Sequence, residues 1–177
     1  MRLFQCQVCG QLLYFENTAC QRCGRRVGYI PNRFALRAVE PDDGAWREAG
    51  GRQDTRLRLC ANADAALCNW LVEEGSDTPY CAACRHNRVI PDLDVAENVP
   101  PWRALEAAKR RLFYTLMRLG LPLATRAQDP NHGLAFDFLA ETWTAPHVLT
   151  GHDEGLITIA LKEGDEAERA RTRAQMG

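Results

Sequence analysis

Between Pro101 and Gly120 the chain reads PWRALEAAKRRLFYTLMRLG, and its apolar positions recur at helical spacing. Trp102, Leu105, Leu112, Leu116 and Leu119 share one face, Pro101 suits a first turn and Gly120 supplies a stop, which predicts a helix. Lys109, Arg110 and Arg111 fall mostly off that face; a solvated basic stripe is the commoner reason for such a run, a grip on an anionic partner the rarer one. The pattern then shifts to period two. GLAFDFLAE sets Leu134, Phe136 and Phe138 against Ala135, Asp137 and Leu139, and PHVLTGHDEGLITIALKE predicts two strands around a turn at residues 151–155. Leu156, Ile157, Ile159 and Leu161 make the second of these apolar enough to be central. The closing GDEAERARTRAQMG is charged and alanine-rich, a helix start. Helix, small antiparallel sheet and helix make an α+β domain over residues 99–177. Upstream, HNRVIPDLDVAENVPP carries three prolines and reads as a linker, and residues 38–59 offer few apolar anchors and several glycines.

The cysteines change the picture of that weakly apolar first half. Cys6, Cys9, Cys20 and Cys23 form C-x2-C-x10-C-x2-C, and both pairs are followed by a glycine, Gly10 and Gly24. A C-x2-C turn aims two sulfurs at one point, and the glycine supplies the left-handed conformation that closes the turn. Two such turns, joined by the short hairpin QLLYFENTA, give a tetrahedron of thiolates that suits zinc, with iron as the rival metal. A redox dithiol of the thioredoxin kind needs a βαβ context that this segment lacks. The second set is looser: Cys60, Cys68, Cys81 and Cys84, in which only CAAC is a knuckle and Arg85 follows it. The count still closes, because a second four-cysteine site leaves no cysteine over. Buried free thiols are the alternative there. His86 lies near, but it stands too close to Cys84 for both to join one tetrahedron easily. Residues 1–37 are thus expected to be a zinc ribbon and residues 38–98 a second four-cysteine zinc region with a linker. Two zinc ions would supply much of the folding free energy of a segment that buries little.

Composition narrows the function classes. The 177 residues carry a formal net charge of -1, 46% hydrophobic and 25% charged residues, so there is no global electrostatic case for a nucleic-acid or membrane binder. Locally, residues 1–37 hold Arg2, Arg22, Arg25, Arg26, Arg33 and Arg37 against Glu16 alone, which leaves nucleic acid as an alternative partner of the ribbon. The N-terminus lacks an apolar signal segment and no apolar run is long enough to span a bilayer, so the expected location is the cytoplasm, where thiols stay reduced. His132, His147 and His152 show no HExxH spacing. Glu163, Asp165 and Asp153 read as a charged helix cap rather than an acidic site.

Several stretches together resemble a known bacterial family: CQVCGQLLYFENTACQRCG, CNW, CAACR, IPDL, WRALEAAKRRLFYTLMRLGLPL, GLAFDFLAE and TGHDEGLITI. The family consists of zinc-binding metallopeptidases with an N-terminal zinc-ribbon region, and the likeness covers almost the whole chain. It implies that Cys6, Cys9, Cys20 and Cys23 are ribbon ligands, that Cys60, Cys68, Cys81 and Cys84 are a second structural set, and that residues 99–177 resemble the N-terminal half of a zincin. The chain departs from the family after ITI, where ALKEGDEAER replaces an asparagine and an acidic run. The family's HExxH helix lies beyond Gly177, so no catalytic residue carries over and this chain alone is expected to be inactive as a peptidase. An incomplete zincin-like wall, apolar from Leu156 to Leu161, would be covered by self-association or a protein partner.

Overall fold

Two short strands, β1 (Phe4–Gln5) and β2 (Leu12–Leu13), pair antiparallel across the first cysteine turn. They belong to the first of two units into which the chain divides, Met1–Arg85 and His86–Gly177. The computed structural model describes residues 2–51, 55–143 and 147–176.

The rest of the first unit is a five-stranded antiparallel sheet. Its strands are β3 (Arg26–Ile30), β4 (Ala35–Asp42), β5 (Ala45–Glu48), β6 (Leu57–Leu59) and β7 (Leu71–Glu73), in that spatial order. Residues 38–59, expected to bury little, instead furnish the middle of this sheet. The signal was a tight turn: Asp43 and Gly44 both take positive φ, 44° and 77°, the conformation of a two-residue hairpin loop whose twist matches its strands. Ile30, Val39, Leu57 and Leu71 then pack as one core, with Trp46 and Leu59 half-buried against them. The expected boundary between residues 37 and 38 falls inside β4.

The sheet curls until its outer strands touch. Tyr29 on β3 bridges Trp70, beside β7, and the Tyr29 N–H donates to the Asn69 carbonyl at 2.7 Å. Gly28 permits the approach: a Cβ there would stand 2.5 Å from Leu71 Cγ. At this seam Phe4, Phe15, Tyr29 and Trp70 form an aromatic cluster with centroid separations of 4.8–6.4 Å. Asn69 fastens the ribbon to the seam, its side-chain amide donating to the Phe15 and Asn17 carbonyls at 2.6 and 2.9 Å.

The second unit is α+β. It comprises β8 (Asn87–Val89), α1 (Val99–Arg118), β9 (Ala135–Leu139), β10 (Gly151–Asp153), β11 (Leu156–Ala160) and α2 (Glu166–Met176). The sheet order is β10-β11-β9-β8, so β11 is central as its sequence predicts. The sheet is mixed, however, and not antiparallel: β8–β9 and β9–β11 run parallel, and only β10 opposes its neighbour. The cause lies in Asn87–Val89, which reads as linker but is a strand. With α1 as its crossover it forms a β-α-β unit, which requires parallel strands.

Helix α1 spans the predicted segment but buries a different side. Trp102, Glu106, Lys109, Arg110, Phe113 and Tyr114 are buried, whereas Leu112 and Leu119 are 41% and 68% exposed. At 3.6 residues per turn, that is a rotation of roughly 100° from the leucine face. The aromatics set the orientation, and Lys109 goes in with them: its Nζ lies 2.6 Å from Glu106 Oε1, bonds Asn87 Oδ1 and stands 5.2–5.5 Å above the Phe136 and Phe138 rings. The basic run is therefore partly core, with Arg111 alone of the three exposed. Asp137, on β9, is buried too, held by both nitrogens of an Arg88 fork.

Candidate metal centres

The two glycine-closed turns adopt the same geometry. In the first, the Gly10 N–H donates to the Cys6 carbonyl and the Cys6 N–H to the Gln11 carbonyl, both at 2.8 Å. In the second, Gly24 and Cys20 repeat this with the Cys20 and Arg25 carbonyls at 2.9 Å. Gly10 and Gly24 take φ of 75° and 70°. The turns face each other, with Cys6 and Cys23 sulfurs 3.8 Å apart and those of Cys9 and Cys20 3.5 Å apart. A zinc–sulfur bond of ~2.3 Å gives a regular tetrahedron an edge of about 3.8 Å, whereas a disulfide requires ~2.05 Å. These are the separations of ligands around one ion.

The looser set closes by other means. The Arg85 N–H donates to the Cys81 carbonyl at 3.1 Å, so CAAC makes the same turn and runs on into a 3-10 segment, Cys84–His86, without a left-handed residue. In the C-x7-C loop, Leu67 takes φ of 50° and does the work of the missing glycine, while the Ala66 and Cys68 amides both bond the Asn62 carbonyl. Cys68 then lies 3.7 Å from Cys81 and 3.8 Å from Cys84, sulfur to sulfur. The amides of Cys81 and Cys84 point at the Cys60 and Cys81 sulfurs, both at 3.4 Å.

Within each set the four sulfurs lie within 4.8 Å of one another. All of Cys60, Cys68, Cys81 and Cys84 are buried; in the first set Cys6 and Cys20 are buried and Cys9 and Cys23 half-buried. Protonation follows from the crowding. At Cys9 the Gln11 backbone pulls the thiol down, but burial and the Cys20, Cys6 and Cys23 thiols push it up to about 11. Cys23 is drawn down to about 6, chiefly by the Arg25 backbone. In the second set Cys60 is held well below the thiol range by Cys68, then Cys81 and Cys84, while Cys68 is pushed well above it by Cys60. Crowded thiols thus oppose one another's ionisation, which a cation at their centre would relieve. The donor set and its spacing fit zinc.

No histidine shares in this. His86 is buried, its Nδ1 2.8 Å from the Leu134 carbonyl and its ring 4.7 Å from that of Phe113. His132 follows the Asp129 turn, His147 is exposed, and His152 sits on β10 opposite Ile157. Among the described residues no histidine joins a metal-competent cluster. Asp165 caps α2, accepting from the Ala167 and Glu168 amides at 2.7 and 3.1 Å, as a cap should.

A family model described as a zinc-ribbon domain matches residues 3–95. A second, described as "Putative zinc-binding metallo-peptidase", matches residues 98–177. Uncharacterized proteins of Mycobacterium bovis and of two strains of Mycobacterium tuberculosis are each 38% identical over 176 residues, which is 99% of this chain and 48% of theirs. The chain therefore spans about half the length of the curated relatives it matches. No solved structure matches it. No helix among the described residues is long and apolar enough to cross a membrane.

Proposed function

Since the chain belongs, through residues 3–95, to the zinc-ribbon domain family, we propose that it is a zinc protein holding two structural ions. Cys6, Cys9, Cys20 and Cys23 bind one; Cys60, Cys68, Cys81 and Cys84 bind the other. The observation that carries this is the sulfur spacing, which in both sets matches the edge of a four-thiolate tetrahedron. Four thiolates close the coordination sphere, so neither ion has a water to activate and both serve folding. On this reading the ion is zinc and not iron, a choice supported by the zinc in both family descriptions. Purified protein should contain about two equivalents of zinc. One equivalent would remove the second site, and a red, iron-loaded protein would remove the zinc assignment.

Residues 98–177 form, on this reading, the scaffold half of a metallopeptidase-like unit and not a catalytic centre. A zinc peptidase needs three protein ligands, an open position for water and a general base. His86 is committed to the Leu134 carbonyl, and His132, His147 and His152 lie apart. The zinc-loaded chain should leave casein and a peptide library uncut. Zinc-dependent cleavage lost in His152→Ala would overturn this.

A further inference from the structure

The two four-cysteine clusters of the first unit share one stretch of backbone. Cys68, a member of the second cluster, is followed at once by Asn69 and Trp70, and these two residues grip the first cluster on both sides of its Cys20–Cys23 turn. Where the chain approaches that turn, the Asn69 side-chain amide donates to the Phe15 and Asn17 carbonyls at 2.6 and 2.9 Å, and the Trp70 ring meets that of Phe15 edge-on at 6.1 Å. Where the chain leaves it as β3, the Asn69 carbonyl accepts from the Tyr29 N–H at 2.7 Å, and the Trp70 ring lies 4.8 Å from that of Tyr29. Residues 14–17, closed by the Tyr14 N–H on Asn17 Oδ1 at 2.7 Å, lie in the segment that joins the Cys9 turn to the Cys20 turn. Whatever fixes residues 68–70 therefore helps to fix the two halves of the first cluster relative to each other.

Residues 68–70 are in turn fixed by the second cluster. The loop that leads to them, CANADAALC from Cys60 to Cys68, is short of large apolar side chains. Leu67, the one it has, is exposed and holds φ of 50° immediately before Cys68. A leucine stays in that left-handed conformation only where its surroundings impose it. Here they do so through Cys68, whose N–H donates to the Asn62 carbonyl at 3.2 Å and whose sulfur sits 3.7 and 3.8 Å from those of Cys81 and Cys84.

We propose that Asn69 couples the two clusters, so that zinc held by either raises the affinity of the other for zinc. The inference rests on the reading of both clusters as zinc sites. Tied to Cys60, Cys81 and Cys84 through a shared ion, Cys68 presents Asn69 to the ribbon; released, the loop relaxes at Leu67 and carries Asn69 away. The buried cluster thus sets how tightly the more accessible one keeps its metal, and linkage makes the effect reciprocal. Two hydrogen bonds from one side chain correspond to about tenfold in affinity.

The test is equilibrium competition between the reduced, 15N-labelled full chain and a zinc chelator, with ribbon occupancy read at the Gly10 and Gly24 amides and second-cluster occupancy at Ala66. Cys84→Ser leaves only the ribbon with four thiols, and Cys9→Ser only the second cluster, so these variants give the two single-site constants. In the unaltered chain the overall constant for two ions is expected to exceed their product about tenfold. Asn69→Ala should remove that excess, yet leave the ribbon constant of the Cys84→Ser chain as it was. An overall constant equal to the product overturns the proposal. So does an Asn69→Ala change that weakens the ribbon equally with and without Cys84→Ser, which would make Asn69 a local brace of the ribbon. Uptake of one equivalent at saturating zinc overturns the two-zinc reading and the coupling together; two equivalents without the excess overturn the coupling alone.

Discussion

Lys109 shows how far a single side chain can depart from its sequence signal. It sits in a basic run, yet it is 3% exposed and tied to Glu106 and Asn87 beneath two phenylalanine rings. Burying an ion pair costs so much desolvation that the pair adds little net stability, but removing one partner strands the other. Lys109→Ala should therefore destabilise the second unit by about 3–5 kcal/mol, and Glu106→Leu with Lys109→Met should recover most of that. Urea unfolding followed at the Phe113 and Phe136 resonances would measure both; equal damage from single and double variants would show that the pair is itself a source of stability. The thiolates obey the same rule with a metal as partner. Cys9→Ser would open the first four-cysteine cluster and, with the proposed metal coupled to folding, should disorder residues 3–30 while the α1 signals in NMR spectra persist. Uniform loss of all peaks would make the two units one cooperative whole.

At the level of elements, the two cages differ in access. Cys9 and Cys23 are half-buried, whereas all four sulfurs of the second set are buried and two of them take backbone amides. A chelator should strip the metals in two phases, with the first lost from the ribbon. Cys23→Ser should remove the fast phase, Cys84→Ser the slow one, and a single phase in the unaltered protein would refute the difference. The curled sheet has its own weak point at Gly28. Its Cβ position lies 2.5 Å from Leu71, so Gly28→Ala must prise β3 from β7; overpacking of this kind costs about 1–3 kcal/mol, readable as a fall in melting temperature of the zinc-loaded protein. The two four-cysteine clusters were legible from sequence because such a cluster is written in residue type and spacing. The strand at β11 was legible because its pattern is local, but the turn expected at residues 151–155 contains β10 itself, Gly151–Asp153, and the chain reverses only at Glu154 and Gly155. What sequence hid was set by distant partners. The β4–β5 hairpin draws part of its core from Leu71, far along the chain. The strand at Asn87 is recognisable only once Phe136 pairs with it. The face of α1 is chosen by the aromatics of β9, not by its own leucines, and Asn69 and Trp70 matter only because the sheet closes on Tyr29.

At the scale of the whole molecule, the second unit leaves apolar surface and a strand edge uncovered. Trp143 and Leu149 are 97% and 83% exposed, Leu156, Ile157 and Ile159 are only half-buried, and β10 is an open edge. The apolar surface predicted to run through Leu161 stops earlier, since Ala160 and Leu161 are buried. An exposed strand edge beside apolar surface templates pairing with another chain. The hairpin geometry says which atoms are available. Glu154 and Gly155 form a two-residue turn at φ of 43° and 86°, so Asp153 and Leu156 exchange hydrogen bonds and the next pair, His152 with Ile157, does not. The amide and carbonyl of His152 therefore point outward, along the free edge. Self-association is expected to rise with concentration in sedimentation velocity, with β10 pairing to β10 of a second copy. His152→Pro removes that outward amide without touching a hydrogen bond of the hairpin, so it should leave the protein monomeric at an unchanged melting temperature. Trp143→Ser, which alters the apolar surface but not the edge, should weaken association only partly. If the proline variant associates as the parent does while the Trp143 variant does not, the contact is made by side chains on the apolar face and the strand edge is idle.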